Sequence, residues 1–231
     1  MDNMGNNVIL HDLHRRFDHA ALAPETDEKA VRRTCEEALQ YGFFAVAVNP
    51  VWISLVSELL AGSPLKVLGV AGFPLGASRT NIKAAEASNS VADGAHEIDL
   101  VANIGHLVSG EFSAVEREVA SVRQVLPYNI VLKVIIEAGK LTEQQQVEAT
   151  RAVVNGGAQF VKTGTGFFGG VTVNQVETLV RAAADKIEVK AAGGIKTLNQ
   201  CRDLLRAGAT RLGSSSSVSI MKQLAESAGG Q

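Results

Sequence analysis

Three side chains carry the chemistry that this sequence could perform. Lys162 stands where the apolar run QFVKT (159–163) gives way to GTGFFGG (164–170). Lys190 holds a similar place in IEVKAA (187–192), one strand-and-helix unit later. Asp99 lies in AHEIDLV (95–101). A lysine inside a buried strand is costly unless something uses it. Two lysines at the ends of neighbouring strands also destabilise each other's charge, and like charge and desolvation both lower a lysine pKa. An amine brought from ~10.4 toward ~7 has a useful neutral fraction at working pH and becomes a nucleophile. It can add to an aldehyde or ketone to form a Schiff base, whose iminium draws electrons from an adjacent C–C bond. A carboxylate such as Asp99 can move the protons, directly or through a water.

The elements that must position these groups are legible as apolar runs. Strands are expected at RFDHA (16–20), FFAVAV (43–48), KVLGVAG (66–72), AHEIDLV, IVLKVIIE (130–137), QFVKT, IEVKAA and TRLG (210–213). Most are continuous and aliphatic, as in parallel strands covered on both faces. Helical patterns lie between them. One is DEKAVRRTCEEALQYG, with Asp27 as N-cap and Gly42 as C′ residue; TEQQQVEATRAVVNGG and TLNQCRDLLRAG carry the same start and stop signals. Eight strands, each followed by a helix, in 231 residues predict an α/β fold with a (β/α)₈ barrel. An open doubly wound sheet is the competing architecture, but no GxGxxG follows the first strand. No linker divides the chain, so a single domain over 1–231 is expected, with frayed ends at about 1–8 and 225–231.

Strand alternation assigns the charges to one side. Asp99 shares a face with Glu97, Lys133 with Glu137, Lys162 with Phe160 and Lys190 with Glu188, and the first strand offers Asp18. Ile98, Val161 and Val189 would face the helices, so the charged set points into the barrel, where it needs partners. An ion-pair network without chemistry is the competing reading for any one residue. It is weaker for the set, because pairing two lysines serves no structural end.

The last two βα loops suggest a phosphate handle. AAGGIKT (191–197) supplies Gly193 and Gly194, and GSSSS (213–217) supplies Gly213, Ser215 and Ser216. Barrels often bind phosphate at this pair of loops, where exposed backbone N–H groups meet a helix start. Lys196 could add charge or be a solvated surface lysine, and GTGFFGG, with Thr165 and Gly166, could add a backbone donor.

Composition excludes several classes. A net charge of −2 without a basic run argues against nucleic acid as a main partner. No apolar stretch is long enough to span a bilayer, and the N-terminus lacks a secretory pattern. Cys35 and Cys201 give neither metal spacing nor a disulfide framework and read as reduced thiols of a cytoplasmic protein.

FDHAAL, AVNP, GFPLGAS, DGAHEIDLVANIG, LKVIIEAG, FVKTGTGF, VKAAGGIKT and RLGSSS together resemble the deoxyribose-phosphate aldolase family, in order and from about Phe17 to Ser217. The resemblance implies a (β/α)₈ barrel and a class I aldolase that needs no metal and no cofactor beyond its own lysine. It implies reversible cleavage of 2-deoxy-D-ribose 5-phosphate to acetaldehyde and D-glyceraldehyde 3-phosphate, in an enzyme often dimeric. By motif position it makes Lys162 the Schiff-base lysine, Lys190 the lysine that perturbs it and Asp99 the proton-relay acid. Thr165 falls on a substrate-contacting threonine, Lys133 on an interior lysine paired with carboxylates, and the glycines and serines above on the phosphate grip.

The chain departs from the family's usual residues at Ala20 (Thr), Ala47 (Cys), His96 (Asp), Ala138 (Thr) and Gly164 (Ser), and its tail ends without an aromatic residue. Ala20 and Ala47 would share the inward face near the mouth. His96, on the parity opposite Asp99, reads as structural. These changes keep open a related Schiff-base lyase or thiolase acting on another phosphorylated sugar. A phosphosugar sensor without turnover is the third reading.

Overall fold

A computed structural model describes residues 10 and 12–229. Eight parallel strands close in sequence order into a barrel: β1 Phe17–Ala21, β2 Ala45–Val48, β3 Lys66–Ala71, β4 Glu97–Val101, β5 Val131–Ile135, β6 Phe160–Lys162, β7 Glu188–Ala192 and β8 Arg211–Ser214. Each lies within a run expected to be a strand, or runs one residue beyond it. The barrel closes through β1 and β8, with Asp18 beside Gly213 and His19 beside Ser214.

The helices are α1 Glu28–Tyr41, α2 Ile53–Leu59, α3 Thr80–Ala92, α4 Ile104–Val108, α5 Phe112–Val125, α6 Glu143–Asn155, α7 Val173–Ala183, α8 Leu198–Arg206 and α9 Ser217–Gly229. Their ends follow from local chemistry. Asp27 Oδ1 accepts from the Ala30 N–H at 2.8 Å, and α1 stops at Gly42, whose φ of 65° suits a residue without a Cβ. Thr142, Thr172 and Thr197 each form a capping box with the glutamine three residues on, which satisfies donors that a helix start leaves free. The helix α9 runs through Gly229, so 225–229 is helical where fraying was expected. The segment 1–8 and residues 230–231 lie outside the described residues.

Outward strand residues such as Ile98, Leu132, Val161, Val189 and Leu212 are buried under the helices. Each contributes roughly 1.5–3 kcal/mol by leaving water. The barrel interior has two unlike halves. Ala45, Ala47, Leu68 and Val70 form a small apolar cluster on β2 and β3, with Ala20, Leu22, Phe44 and Phe73 packed against it. The charged side chains gather opposite, on β4 to β8, with Asp18 of β1 at the boundary.

Candidate active site

Parallel register places the two lysines side by side. Lys162 pairs with Lys190 across β6 and β7, and Asp99 with Lys133 across β4 and β5. Residues in register point the same way, so all four turn into the barrel, and all four are buried. One carboxylate oxygen collects both lysines: Lys162 Nζ donates to Asp99 Oδ2 at 2.8 Å and Lys190 Nζ donates to the same atom at 2.7 Å. Lys133 Nζ lies 3.3 Å from Asp99 Oδ1 and 2.5 Å from Glu97 Oε2. Asp18 Oδ2 meets Lys190 Nζ at 2.5 Å, while Asp18 Oδ1 accepts from Arg211 Nη1 at 2.9 Å.

The electrostatics follow from this packing. Burial pushes the Lys162 amine down; the Asp99 carboxylate pulls it back up, the Lys190 charge pushes it down again, and the result is about 8. Desolvation therefore outweighs the repulsion between lysines as the cause, and the fall is smaller than the sequence suggested. At pH 7.4 such an amine is neutral in roughly a fifth of molecules, against ~0.1% for an unshifted lysine. Burial would raise the Asp99 carboxyl, but Lys162, Lys190 and Lys133 together hold it well below the usual carboxylate range. Burial would lower Lys133, but Asp99, Glu97 and Asp18 raise it above the ordinary lysine value. The site therefore holds an ionised acid, a locked cation and one amine that can lose its proton near neutrality.

Above this cluster opens a cavity of about 560 Å³ at the C-terminal ends of the strands. Lys162 and Lys190 form its floor, and Ala20 and Ala47 form part of one wall. Thr165, Gly166, Gly193, Gly194, Gly213, Ser215 and Ser216 all border it, as does Lys196. The expected handle is thus brought to one side of a single cavity. Gly193 has a φ of 113°, and a Cβ there would sit 3.0 Å from the Gly169 carbonyl oxygen. The Gly193 loop therefore packs directly on the 164–170 loop, and the Gly193 carbonyl accepts from the Val171 N–H at 3.0 Å. The Ser216 N–H donates to Ser214 Oγ, which shapes the turn ahead of α9.

Several roles are more particular than the sequence indicated. Gly213 lies against the Lys190 stem: a Cβ would come within 3.1 Å of Lys190 Cε. Its missing side chain makes room for the lysine. Thr165 borders the cavity, but its hydroxyl and its N–H both donate to Glu137 Oε2, at 2.8 and 3.0 Å. Glu137 leaves the Lys133 face because the chain turns there, with φ 49°. Gly164 accommodates it, since a Cβ would lie 2.8 Å from Glu137 Oε1. His96 is exposed and its Nδ1 accepts from the Val67 N–H at 3.1 Å, away from the interior. Arg211 was not singled out from sequence, yet it lies in the interior cluster. Its place two residues before Gly213 on the same strand face was the available signal.

A parallel eight-stranded barrel with a desolvated lysine under an open cavity belongs to the class of barrel enzymes that work from the C-terminal mouth. Residues 13–219 match the model of the DeoC/LacD family aldolases. A deoxyribose-phosphate aldolase of Geobacillus sp. (strain WCH70) is 41% identical over 220 residues, covering 95% of this chain and 96% of that one. A solved structure described as QR15, an aldolase, superposes with a TM-score of 0.88 at 36% identity, covering 93% of this chain and 96% of that one. The tetrameric deoxyribose phosphate aldolase from Aeropyrum pernix superposes at 0.88 with 31% identity, covering 96% and 95%. The chain belongs to the DeoC/LacD family of aldolases and is a carbon–carbon lyase. Among the described residues no helix is long and apolar enough to cross a membrane, and no group of three or more His, Cys, Asp or Glu is arranged to hold a metal ion.

Proposed function

We propose that the protein is a class I deoxyribose-phosphate aldolase in which Lys162 forms the Schiff base. The observation that carries this reading is the shared Asp99 oxygen, with Lys162 as the buried amine that can be neutral near pH 8. The neutral amine adds to the C1 aldehyde of open-chain 2-deoxyribose 5-phosphate, and loss of water leaves an iminium. Removal of the C3 hydroxyl proton makes C3 a carbonyl. The C2–C3 electron pair then moves to C1–C2, leaving an enamine on Lys162 and releasing glyceraldehyde 3-phosphate. Protonation at C2 and addition of water free acetaldehyde and the amine. Asp99 lies within hydrogen-bond reach of the reacting nitrogen and Lys190 donates to the same Asp99 oxygen, and these two are the residues that relay the protons. Lys133 and Asp18 hold that pair in place.

The phosphate is proposed to sit against Gly193, Gly194, Gly213, Ser215 and Ser216, at the start of α9, with Thr165 and Gly166 covering the sugar. No metal or organic cofactor enters this scheme, since the lysine itself supplies the electron sink. The free, buried Cys35 and Cys201 suit a reducing compartment, and we place the enzyme in the cytoplasm, in the breakdown of deoxyribose phosphate. A homodimer is our proposal for the assembly; sedimentation would distinguish it from a tetramer like that of the Aeropyrum pernix relative.

The test is acetaldehyde with borohydride, followed by peptide mapping. Label at Lys162, with retro-aldol turnover of 2-deoxyribose 5-phosphate, supports the reading. Label at Lys190 or Lys133 instead would overturn the assignment. Ala20 and Ala47 leave a wider, less polar wall, which is the observation behind a second reading, a different phosphorylated donor. A panel of phosphorylated aldehydes and ketones separates the two. Family membership and the intact Lys162, Lys190 and Asp99 favour turnover over a sensor.

A further inference from the structure

The charged half of the barrel interior is a closed count. Among the described residues it joins three carboxylates, Asp18, Glu97 and Asp99, to four basic groups, Lys133, Lys162, Lys190 and Arg211, through contacts of 4.0 Å or less. With every group ionised the box carries one excess positive charge. It becomes neutral when one amine gives up its proton. Arg211 cannot be that group, because a guanidinium stays protonated in proteins.

Arg211 is also fixed in place. Its guanidinium carbon lies 3.5 Å from the Phe44 ring centroid and 5.5 Å from that of Phe160. Nη1 contacts Asp18 Oδ1 at 2.9 Å and Glu97 Oε2 at 3.4 Å. These two carboxylates are the ones that also hold Lys190 and Lys133. Arg211 thus draws on negative charge that would otherwise act on the lysines above it.

We propose that Arg211 is a positioning residue that sets the charge balance of the site: by occupying Asp18 and Glu97 from below, it leaves the interior one anion short and so keeps Lys162 available as a neutral nucleophile. The inference rests on the Schiff-base reading above. The charged groups facing Lys162 inside the barrel come from several strands, while Arg33 and Glu37 of α1 and Lys196 of the loop after β7 line the same cavity. Asp99 and Glu97 come from β4, Lys133 from β5, Lys190 from β7, Asp18 from β1 and Arg211 from β8. The apolar strands β2 and β3 present Ala45, Ala47, Leu68 and Val70. Glu137 is engaged by Thr165, and Glu188 is exposed at the start of β7, where its charge acts on Arg211. Burial is the largest cause of the fall of Lys162 to about 8, with Asp99, Lys190 and Asp18 acting on it directly, so Arg211 acts through the carboxylates it shares.

The signs differ between variants, which makes the proposal testable. Removing the cation with Arg211→Met favours protonated Lys162 and should move its titration up by about one pH unit; removing the anion with Glu97→Gln should move it down by a similar amount. The double variant removes one charge of each sign and should return near the starting value. The readout is the initial rate of acetaldehyde and cyanoborohydride labelling, mapped to Lys162, from pH 6 to 10. Opposite shifts with restoration in the double variant support the proposal. A merely structural role would let water into the pocket and move both single variants upward; that result, or no shift in either, overturns it. Where Arg211→Met does not fold, Arg211→Lys keeps the charge and should keep the midpoint, and a moved midpoint there also overturns it. Unmodified enzyme that never labels at Lys162 refutes the Schiff-base reading itself, whereas labelled Lys162 with unmoved midpoints refutes only the role of Arg211.

Discussion

Lys162 and Lys190 donate to the same oxygen, Asp99 Oδ2, at 2.8 and 2.7 Å. Burial lowers the Lys162 amine, Asp99 pulls it back up and the adjacent Lys190 charge pushes it down again, to about 8. The labelling of Lys162 should therefore rise with pH through a midpoint near 8, since the neutral form is the nucleophile. Replacing its neighbour, Lys190→Leu, removes a positive charge from beside it and should raise that midpoint by about one unit. The residual retro-aldol activity should shift to higher pH with it. A profile that stays put would show that Lys190 does not tune Lys162.

Asp99→Asn keeps the shape but removes the anion that three lysines share. Breaking such a buried cluster costs roughly 3–5 kcal/mol of stability, and loss of the proton relay should lower kcat by about 10²–10⁴-fold. Binding of inorganic phosphate on the loop side of the cavity should change little. Urea denaturation, steady-state kinetics and phosphate titration separate these effects, and a preserved kcat would remove Asp99 from the mechanism.

Gly213→Ala discriminates between two roles of one glycine. Its Cβ would press on Lys190 Cε at 3.1 Å, displacing the ammonium from Asp18 and Asp99. The expected outcome is a fall in kcat of about tenfold with a moved pH profile. A rise in KM for the phosphorylated substrate with unchanged kcat and profile would instead make Gly213 purely part of the phosphate grip.

Acid should destabilise the fold through Asp18 and Asp99. Burial opposes ionisation of both, but the neighbouring cations win and hold both below the ordinary aspartate value. A carboxyl depressed in the folded state stabilises fully above its unfolded value, and that contribution is lost as pH falls through the folded one. Urea midpoints should therefore be nearly level from pH 7 to about 5 and drop below about 4. The drop should be shallower in Asp99→Asn, and an equal slope in both proteins would contradict this origin.

Much of the barrel could be read from the chain, because continuous aliphatic runs separated by capped helices leave few alternatives. Asp27, Thr142 and Thr197 mark helix starts by side chains that bond within three residues, which is local chemistry. Alternation likewise put Asp99, Lys133, Lys162 and Lys190 on the inner face. Other contacts had no local signature. Lys83 looks like an ordinary helix lysine, yet its Nζ is buried against Glu118 Oε1 and the Val101 carbonyl, both at 2.8 Å. The turn that takes Glu137 off its strand face to hold Thr165 was equally unmarked.

By itself, then, the sequence determined the eight strands, the inward side of each and the residue types at the mouth, since period, propensity and capping act over a few neighbours. Only the closed barrel decided which charges meet: that one Asp99 oxygen takes two lysines, that Gly213 yields space to Lys190, and that Arg211 shares Asp18 and Glu97 from beneath. Those pairings join residues up to 193 positions apart, as for Arg211 and Asp18, and are fixed by barrel register and closure rather than by any property of the local chain.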